Sequence, residues 1–502
     1  MSSKDDVFLE EARLGPRTQV LVECEEIPNI PRLVRRFREY VLVDMAHAVM
    51  LAETEILTEE RSAKLLGGLL EIYDSGGDGF PWLPQSGSFL VQTEFYLGQR
   101  IGDDIAGRLQ TGRSRNDQSA AAERLYLRDL LLSIAAEIMQ LQSAVLSKAA
   151  QHAETLMPGY THLQHAQPST FGHHLMRYGA AFDRDLTRMA GAFRHTNLSS
   201  LGGAAMAGTS WPVDRRRTAE LLGHDDIVVN SSDAGGFARD FIEEVVAALS
   251  QLMSSLGRLA NDLYVWHSWE FGYVEVADGL AGTSSIMPQK KNPHSLERIK
   301  SLSGQAAGWL PGVMACQHSV VSTDLDLTFA DDLLTGMGDA TSQALRLATE
   351  TVATLIVNED RMAAAAGAFW STTSHLADEI VRRYDLPFRA AHHVVGRFVR
   401  DSIAAGRTPA EVRTEDLAAA GRDMADMDID IPDAELRDIL DARAFLTSRT
   451  TEGSVHPDET RAYNTALTKA LDGHRAEWGA RKDRADDAIA ALIARARALS
   501  ST

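Results

Sequence analysis

The sequence predicts an all-α protein built around a bundle of long helices. Across residues 116–355, apolar side chains recur mostly at three- and four-residue spacings, and helix-breaking residues are few. Two clear examples are residues 125–146 and residues 241–256. The strand pattern of alternating apolar and polar residues is nearly absent. Helices that are apolar over more than one stripe suit a bundle that also packs against other subunits.

Length and pattern divide the chain into three predicted domains. A chain of 502 residues is longer than one compact core supports. Residues 1–115 mix short apolar segments with turn signals, and we expect a helix to start after Thr58. Residues 116–365 form the predicted central bundle. Residues 366–502 carry shorter helices and a charged, alanine-rich tail, which predicts a small helical domain.

Composition and charge argue against several classes of protein. A net charge of -20 argues against nucleic-acid binding, so an anionic substrate must meet a local cluster of positive charge. No apolar run reaches membrane-spanning length and the N-terminus lacks a hydrophobic signal core, which predicts a cytoplasmic protein without a membrane partner. We expect Cys24 and Cys316 to be free, packed thiols. No His/Cys cluster has ligand spacing, so neither a metal nor another cofactor is expected.

The stretch with the densest chemistry is residues 282–297, which read GTSSIMPQKKNPHSLE. Glycine and small hydroxyl residues allow the backbone to move, and two prolines then restrict it before a predicted helix. A polar surface loop that only caps a helix is the plain alternative. The side chains that offer a base, an ammonium group, an amide donor and a carboxylate are Ser284, Ser285, Lys290, Asn292 and Glu297.

Three further stretches complete a pattern. They are residues 111–118 (TGRSRNDQ), 158–164 (PGYTHLQ) and 448–453 (SRTTEG). Together with the loop at 282–297, which is similar to the signature loop of the fumarase/aspartase superfamily, they resemble the argininosuccinate lyase family. The resemblance implies a three-domain fumarase/aspartase-like fold with a long central helical bundle. It also implies a homotetramer in which each active site is built from three chains.

The chemistry implied is cleavage of a C–N bond by elimination. A proton leaves the carbon next to a carboxylate and produces a doubly charged aci-carboxylate, which needs fixed donors, a base and an acid. In the family, the lysine and asparagine of the loop bind this carboxylate, which implies that role for Lys290 and Asn292. The first serine of the pair is the family's proposed base, here Ser284. Ser285 is the less favoured candidate.

A histidine and a glutamate are the implied acid and its partner. The family pairs the histidine of its second motif with the signature-loop glutamate, which corresponds to His162 and Glu297. Taken alone, such a histidine is more often a core or surface residue. Thr161 and His162 follow a Pro-Gly turn, and we expect both where an irregular segment meets a helix. The substrate-binding residues carried over are Ser114, Arg115, Asn116, Thr161, Arg239, Ser285, Met287 and Asn292.

The resemblance weakens on the side of the amine. Where the family has a Ser and an Asp that hold arginine, residues 29–36 read NIPRLVRR. Arg32 or Arg35 would suit an additional carboxylate on the amine, and the alternative is that Arg32, Arg35 and Arg36 form a solvated basic face. The stretch 322–329 (STDLDLTF) lacks a family Gln and Lys.

Two departures lie in the signature loop itself. Thr283 stands where the family usually has a glycine, and Gly282 is one place earlier. His294 stands where an Asp is common. A third departure is upstream of the loop, where Gly235 and Gly236 lengthen the segment before Arg239 and Asp240.

We therefore expect a C–N lyase that eliminates fumarate from an N-substituted aspartate, by default argininosuccinate to arginine plus fumarate. One alternative is a lyase for a different N-succinyl amine or aminopolycarboxylate, of the ethylenediamine-disuccinate lyase type, working in either the elimination or the amine-addition direction. Another is a crystallin-like scaffolding role on an inactive enzyme fold. The retained Ser284, His162, Lys290, Asn292 and Glu297 argue against a scaffold, because a structural protein does not require them.

Overall fold

The computed structural model describes residues 17–86, 88–237, 239–317 and 326–501. Its secondary structure is mostly α-helix, which confirms the all-α prediction. The helices are α1 Gln19–Leu21, α2 Ile27–Arg35, α3 Phe37–Glu53, α4 Glu59–Ser75, α5 Phe89–Ile101, α6 Asp103–Ala106, α7 Arg115–Gln151, α8 Phe171–Thr196, α9 Arg215–Leu221, α10 Asp240–His267, α11 His294–Gln305, α12 Trp309–Cys316, α13 Asp326–Ala353, α14 Glu359–Gly367, α15 Thr373–Tyr384, α16 Phe388–Ala404, α17 Thr414–Ala425, α18 Asp433–Ile439, α19 Ala442–Thr447 and α20 Pro457–Ser500. Helix α4 begins after Thr58, as predicted.

Short strands interrupt the helices at a few places and pair in twos. The strands are β1 Leu156–Thr161, β2 Gln164–Thr170, β3 Leu198–Ser199, β4 Asp226–Ile227, β5 Val274–Glu275, β6 Gly282–Thr283, β7 Lys291–Asn292 and β8 Ile356–Val357. The pairs β1–β2, β5–β8 and β6–β7 are antiparallel, and the pair β3–β4 is parallel. The β1–β2 hairpin and the β6–β7 pair each carry candidate site residues.

Three large hydrophobic clusters organise the described residues. The first consists mainly of residues between 33 and 125, the second of residues between 127 and 362, and the third of residues between 376 and 440. Helix α20 joins two of them, because Trp478 packs in the second cluster and Leu492 in the first. The boundaries at 115/116 and 365/366 stay a prediction.

Helix α7 has 37 residues and runs through the predicted central bundle. One of its 18-residue windows has a mean hydropathy of 1.5, so by length and average composition this helix passes as a membrane span. Buried core helices pass the same test, so this helix does not overturn the expectation of no membrane partner, which stays a prediction. The helix lies in the protein core, against α8, α13, α20 and α3.

Both cysteines are thiols rather than members of a disulfide, as predicted. Cys24 is exposed rather than packed, which corrects the expectation for that residue, and Cys316 is half-buried. Residues 322–325 of the stretch that departs from the family lie outside the described residues.

The start of helix α8, directly after the β1–β2 hairpin, is held by backbone hydrogen bonds to the segment that follows helix α7. The amide of Phe171 donates to the carbonyl of Thr155 at 2.9 Å, and the amide of Gly172 donates to that of His152 at 2.9 Å. A Cβ at position 172 would lie 2.5 Å from the backbone oxygen of Ala149 and 2.8 Å from the Cα of Ala153. Glycine at 172 therefore permits helix α8 to start against the end of helix α7.

Replacing Gly172 with alanine should lower the free energy of unfolding by on the order of 2 kcal/mol, because the new methyl group meets backbone atoms that cannot turn aside. A matched control is Gly191→Ala in the same helix, where no atom lies within 4 Å of the added Cβ. That change should be neutral or stabilise by up to about 1 kcal/mol. Chemical denaturation measures both, and equal effects would contradict this packing.

Candidate active site

The first group of candidate residues lies at the start of helix α7. The Ser114 hydroxyl accepts from the amide of Asn116 at 3.3 Å, and the Asp117 carboxylate accepts from the amide of Ser114 at 2.9 Å. This reciprocal cap explains why the helix begins at Arg115. Arg115 is exposed and Asn116 is half-buried. The positive end of the helix dipole and these donors together suit a carboxylate ligand.

A buried polar layer supports this segment from below. Arg113 and Asp44 form an ion pair at 2.6 Å with both side chains fully buried, and the Gln118 amide donates to Asp44 at 2.6 Å. Asp117 also accepts from the amides of Gly202 and Ala204, both at 3.0 Å. Sequence reasoning missed these positioning residues. The signal available was that Arg113, Asp117 and Gln118 flank the proposed substrate contacts Ser114–Asn116 in one motif.

Glu94 lies beside this layer on helix α5. Burial raises the pKa of its carboxyl to about 7, while the Arg113 guanidinium opposes the rise and the Asp44 carboxylate adds to it. Burial is the largest of these causes because most of the side chain is withdrawn from water. Glu94 is therefore a group that changes charge near neutral pH within the support of the site.

The second group lies at the tip of the β1–β2 hairpin, not where an irregular segment meets a helix. That prediction for Thr161 and His162 is wrong, because strands pair on both sides of them. His162 and Leu163 have φ of 55° and 56° and form the two-residue turn between Thr161 and Gln164. A turn with two left-handed residues matches the twist of the paired strands, but it usually contains Asn or Gly. The sequence His162-Leu163 therefore gives no sign of this turn. Thr161 and His162 are exposed.

The third group is the loop between β6 and β7. Gly282 pairs with Asn292 and Thr283 pairs with Lys291, so residues 284–290 form an exposed loop above a two-residue stem. The Ser284 hydroxyl accepts from the amides of Met287 at 3.1 Å and Ile286 at 3.4 Å. The half-buried candidates here are Ser284 and Asn292, and the exposed ones are Ser285, Met287 and Lys290.

The two lysines of this loop differ in their surroundings. Lys291 pairs with Glu275 at 2.5 Å and with Asp278 at 2.6 Å. Burial alone would lower the pKa of the Lys291 ammonium group, but these two carboxylates outweigh it and raise that pKa. The amide of Lys290 donates to the carbonyl of Met287 at 3.0 Å, and its side chain is exposed. Tertiary contacts therefore neutralise Lys291, while Lys290 extends from the loop into solvent.

Glu297 lies on the first turn of helix α11, 4.0 Å from the His294 imidazole. Among the described residues of one chain, no ion pair joins His162 to Glu297, so a single chain does not form the pair that the resemblance implies. Within the same ranges, no group of three or more His, Cys, Asp or Glu side chains is arranged to hold a metal ion. The expectation of no cofactor stays a prediction.

Arg239 is buried and bound to this chain's own carboxylate. Its guanidinium pairs with Glu123, whose other oxygen lies 3.6 Å from Arg36. The solvated-face interpretation is therefore wrong for Arg36, which is buried and lies over the Tyr126 ring. Arg35 is exposed and pairs with Asp339 at 3.2 Å.

Close packing explains why position 235, in the segment before Arg239, is a glycine. A Cβ at this position would lie 2.3 Å from the carbonyl oxygen of Ala205. The missing side chain therefore allows this segment to approach the 202–205 loop, which Asp117 holds in place through the amides of Gly202 and Ala204.

The three groups do not meet within one chain. The Ser114 segment precedes helix α7 and the His162 hairpin follows it, and 37 residues at 1.5 Å per residue separate its ends by about 55 Å. The loop shares the hairpin's end of the bundle, since the Tyr160 and Tyr273 hydroxyls lie 2.6 Å apart and His267 lies 3.4 Å from the Lys291 carbonyl.

Comparisons with known proteins agree with this architecture. A family model described as "Lyase" matches residues 31–308, and one described as "Argininosuccinate lyase C-terminal" matches residues 370–447. An argininosuccinate lyase of Methanosarcina acetivorans is 35% identical over 91% of this chain and 92% of its own length. That of Methanothrix thermoacetophila is 37% identical over 90% and 91%.

Solved structures give the same result. An EDDS lyase in complex with formate superposes with a TM-score of 0.86 at 31% identity, covering 97% of each chain. A fumarate lyase from Mesorhizobium sp. BNC1, at 22% identity and a TM-score of 0.67, shares the fold. Fold and motifs together define a carbon–nitrogen lyase of the fumarase/aspartase superfamily that releases fumarate. Within that class, the chain belongs to the argininosuccinate lyase family.

The pKa of Glu94 predicts how stability depends on pH. The folded state binds the proton more tightly than the unfolded chain, whose carboxyl has the ordinary value of 4.5. This stabilisation is complete below that value and is lost as the pH rises through about 7. Glu94→Gln should therefore match the wild type at about pH 4 and exceed its free energy of unfolding by on the order of 2 kcal/mol at about pH 8.

Denaturation at several pH values measures this difference. Glu71→Gln, which removes an exposed carboxylate on the neighbouring helix α4, is the control and should show no comparable gain at the higher pH. A Glu94→Gln variant that is no more stable than the wild type at high pH would contradict the assignment.

Proposed function

We propose that this enzyme eliminates fumarate from an N-substituted aspartate, and that the default substrate is argininosuccinate, which yields arginine and fumarate. The observation that carries the proposal is identity of 35% and 37% with two argininosuccinate lyases over nine tenths of the chain. The retained loop of residues 282–297 supports it, because this loop holds a candidate base and the donors for a new negative charge.

In the proposed mechanism, Ser284 removes the proton and the loop stabilises the resulting charge. Lys290 and Asn292 bind the carboxylate next to the carbanion, assisted by the start of helix α11. Serine is a weak base in water, so the exposed loop must close over the substrate before the alkoxide is stabilised. Ser285 and Met287, in the same loop, line the closed site.

The remaining groups of the proposed site come from other copies of the chain. His162, oriented by Glu297 of a different copy, acts as acid or positions a water near the amine. Thr161 and the Ser114–Asn116 segment grip the succinyl carboxylates. We assign Arg239 to supporting this site through Glu123 rather than to touching substrate, because its guanidinium is buried in that pair.

We propose a cytoplasmic homotetramer with shared active sites. The support is geometric: about 55 Å of helix separates Ser114 from the hairpin that carries His162, and one fumarate cannot span it. Exposed apolar side chains around the hairpin, such as Leu163 and Phe369, are consistent with subunit contacts.

A different amine is the second candidate, and a specific observation favours it. The EDDS lyase structure covers 97% of this chain at 31% identity. In addition, residues 29–36 contain arginine side chains at the place where the family has a Ser and an Asp that bind the amino-acid end of the substrate's arginine. The substrate would then be an N-succinyl amine or aminopolycarboxylate. Ethylenediamine disuccinate is the appropriate probe.

Ser284→Ala should lower turnover by at least about a thousandfold with the fold retained, because the proposed base is lost. Lys290→Met should be comparably severe, since the carboxylate charge is then uncompensated. Fumarate absorbance after mixing with argininosuccinate measures both, and Ser301→Ala, an exposed serine of helix α11, is the control.

Substantial activity in Ser284→Ala would instead assign the base to Ser285 or another residue. The same assay separates the candidate substrates. Release of fumarate from ethylenediamine disuccinate but not from argininosuccinate would replace the default with the second candidate. No release from either, together with no amine addition to fumarate, would contradict the proposed function.

Shared sites predict complementation between two inactive variants. Ser284→Ala and His162→Asn should each be inactive, but random tetramers refolded from an equal mixture should regain up to about one quarter of wild-type activity. A quarter is expected because an active site must take its loop from a His162→Asn chain and its hairpin from a Ser284→Ala chain. In an equal mixture these two choices are independent, so their chances multiply. Light scattering measures the mass, and a monomer, or a mixture without regained activity, would contradict shared sites.

A further inference from the structure

The imidazole of His294 occupies the space beside Gly282. A Cβ built on Gly282 would lie 2.0, 2.2 and 2.4 Å from the Cε1, Nδ1 and Nε2 atoms of that ring. These distances are far below contact distance, so any side chain at 282 excludes the ring from its present position. Gly282 and His294 are therefore a sterically matched pair, joined across twelve residues of chain.

This pair consists of two departures from the family pattern. The glycine that the family has at position 283 is found one place earlier in this chain, and position 283 is a β-branched threonine. His294 replaces the acid common at its position. The structure places Gly282 directly beside the His294 ring, which gives a physical reason for the glycine: the ring needs the absence of a side chain at 282.

The contact lies at the stem of the loop that carries Ser284. Gly282 pairs with Asn292 across the stem, and His294 is the first residue of helix α11, two residues beyond Asn292. The ring thus joins the start of the loop to the helix that follows it. Glu297, 4.0 Å from Nε2 on the next turn, lies on the helix side of the ring.

We propose that His294 is a positioning residue: its ring packs on Gly282 and fixes the path of the stem, and thereby the place of Ser284 two residues later. This inference rests on the proposed role of Ser284 as the base. A stem that is free to shift would still let the substrate bind through Ser114–Asn116 and Thr161. It would misplace the base, because proton transfer requires the two atoms within hydrogen-bonding reach.

A double-mutant cycle tests the contact. His294→Ala should lower kcat about tenfold and raise KM by a smaller factor, since the contacts from Ser114–Asn116 and Thr161 remain while the loop that carries Ser284 is displaced. Gly282→Ala should lower kcat at least as much, because its methyl group expels the ring. In the double variant, the methyl group at position 282 has no ring to expel, so kcat should equal that of His294→Ala alone. Multiplied losses would overturn the proposal.

Two controls separate the ring contact from general damage to the loop. Gly279→Ala, three residues before Gly282, adds a methyl group with no atom within 4 Å and should leave kcat unchanged. His294→Phe keeps a flat ring over Gly282 without the approach to Glu297, and should retain most of kcat. A loss in His294→Phe as large as in His294→Ala would overturn the packing role.

Failure of the proposed function would be recognised separately. If the wild type released no fumarate from argininosuccinate or ethylenediamine disuccinate, the proposed function would be rejected and the base-positioning role with it. Thermal unfolding of the wild type, Gly282→Ala, His294→Ala and the double variant measures the steric pairing itself. Gly282→Ala should lower Tm in the wild-type background and not in His294→Ala, and equal shifts in both would overturn the pairing.

Discussion

The length of helix α7 is the constraint on which the rest of the structure depends. A helix of 37 residues, with its apolar side chains buried along nearly its whole length, is a stiff spacer of about 55 Å. Its start carries Ser114 to Asn116, and the hairpin with His162 follows its end. Any chemistry that needs both segments must therefore take them from different copies of the chain. Packing of the bundles of different copies against each other would then also assemble the proposed site.

Charge is arranged locally in a chain that repels anions overall. The net charge is -20, yet two helices begin at candidate binding segments, and each offers the positive end of its dipole. Adjacent lysines in the loop have separate roles. Glu275 and Asp278 hold Lys291 against the stem, whereas Lys290 is left exposed. One lysine thus stabilises the loop and the other can meet a carboxylate.

Beneath the exposed contacts lies a buried polar layer that fixes their positions. Removing one member of a buried ion pair such as Arg113–Asp44 would leave an uncompensated charge, so the layer is strongly constrained once formed. Asp117 fulfils two demands, because it caps helix α7 and holds the 202–204 loop. Glu94 adds a group whose charge changes near neutral pH beside that layer.

The sequence by itself determined the long helices, the helix start after Thr58 and the family, because burial repeats every 3.6 residues and the motifs are contiguous. It did not determine features made by residues distant in the chain. The two left-handed residues at the hairpin tip, the burial of Arg36 and Arg239 around Glu123, and the His294 ring beside Gly282 arise only when separate segments meet. Their energies come from packing and desolvation, which tertiary contact creates and local sequence does not contain.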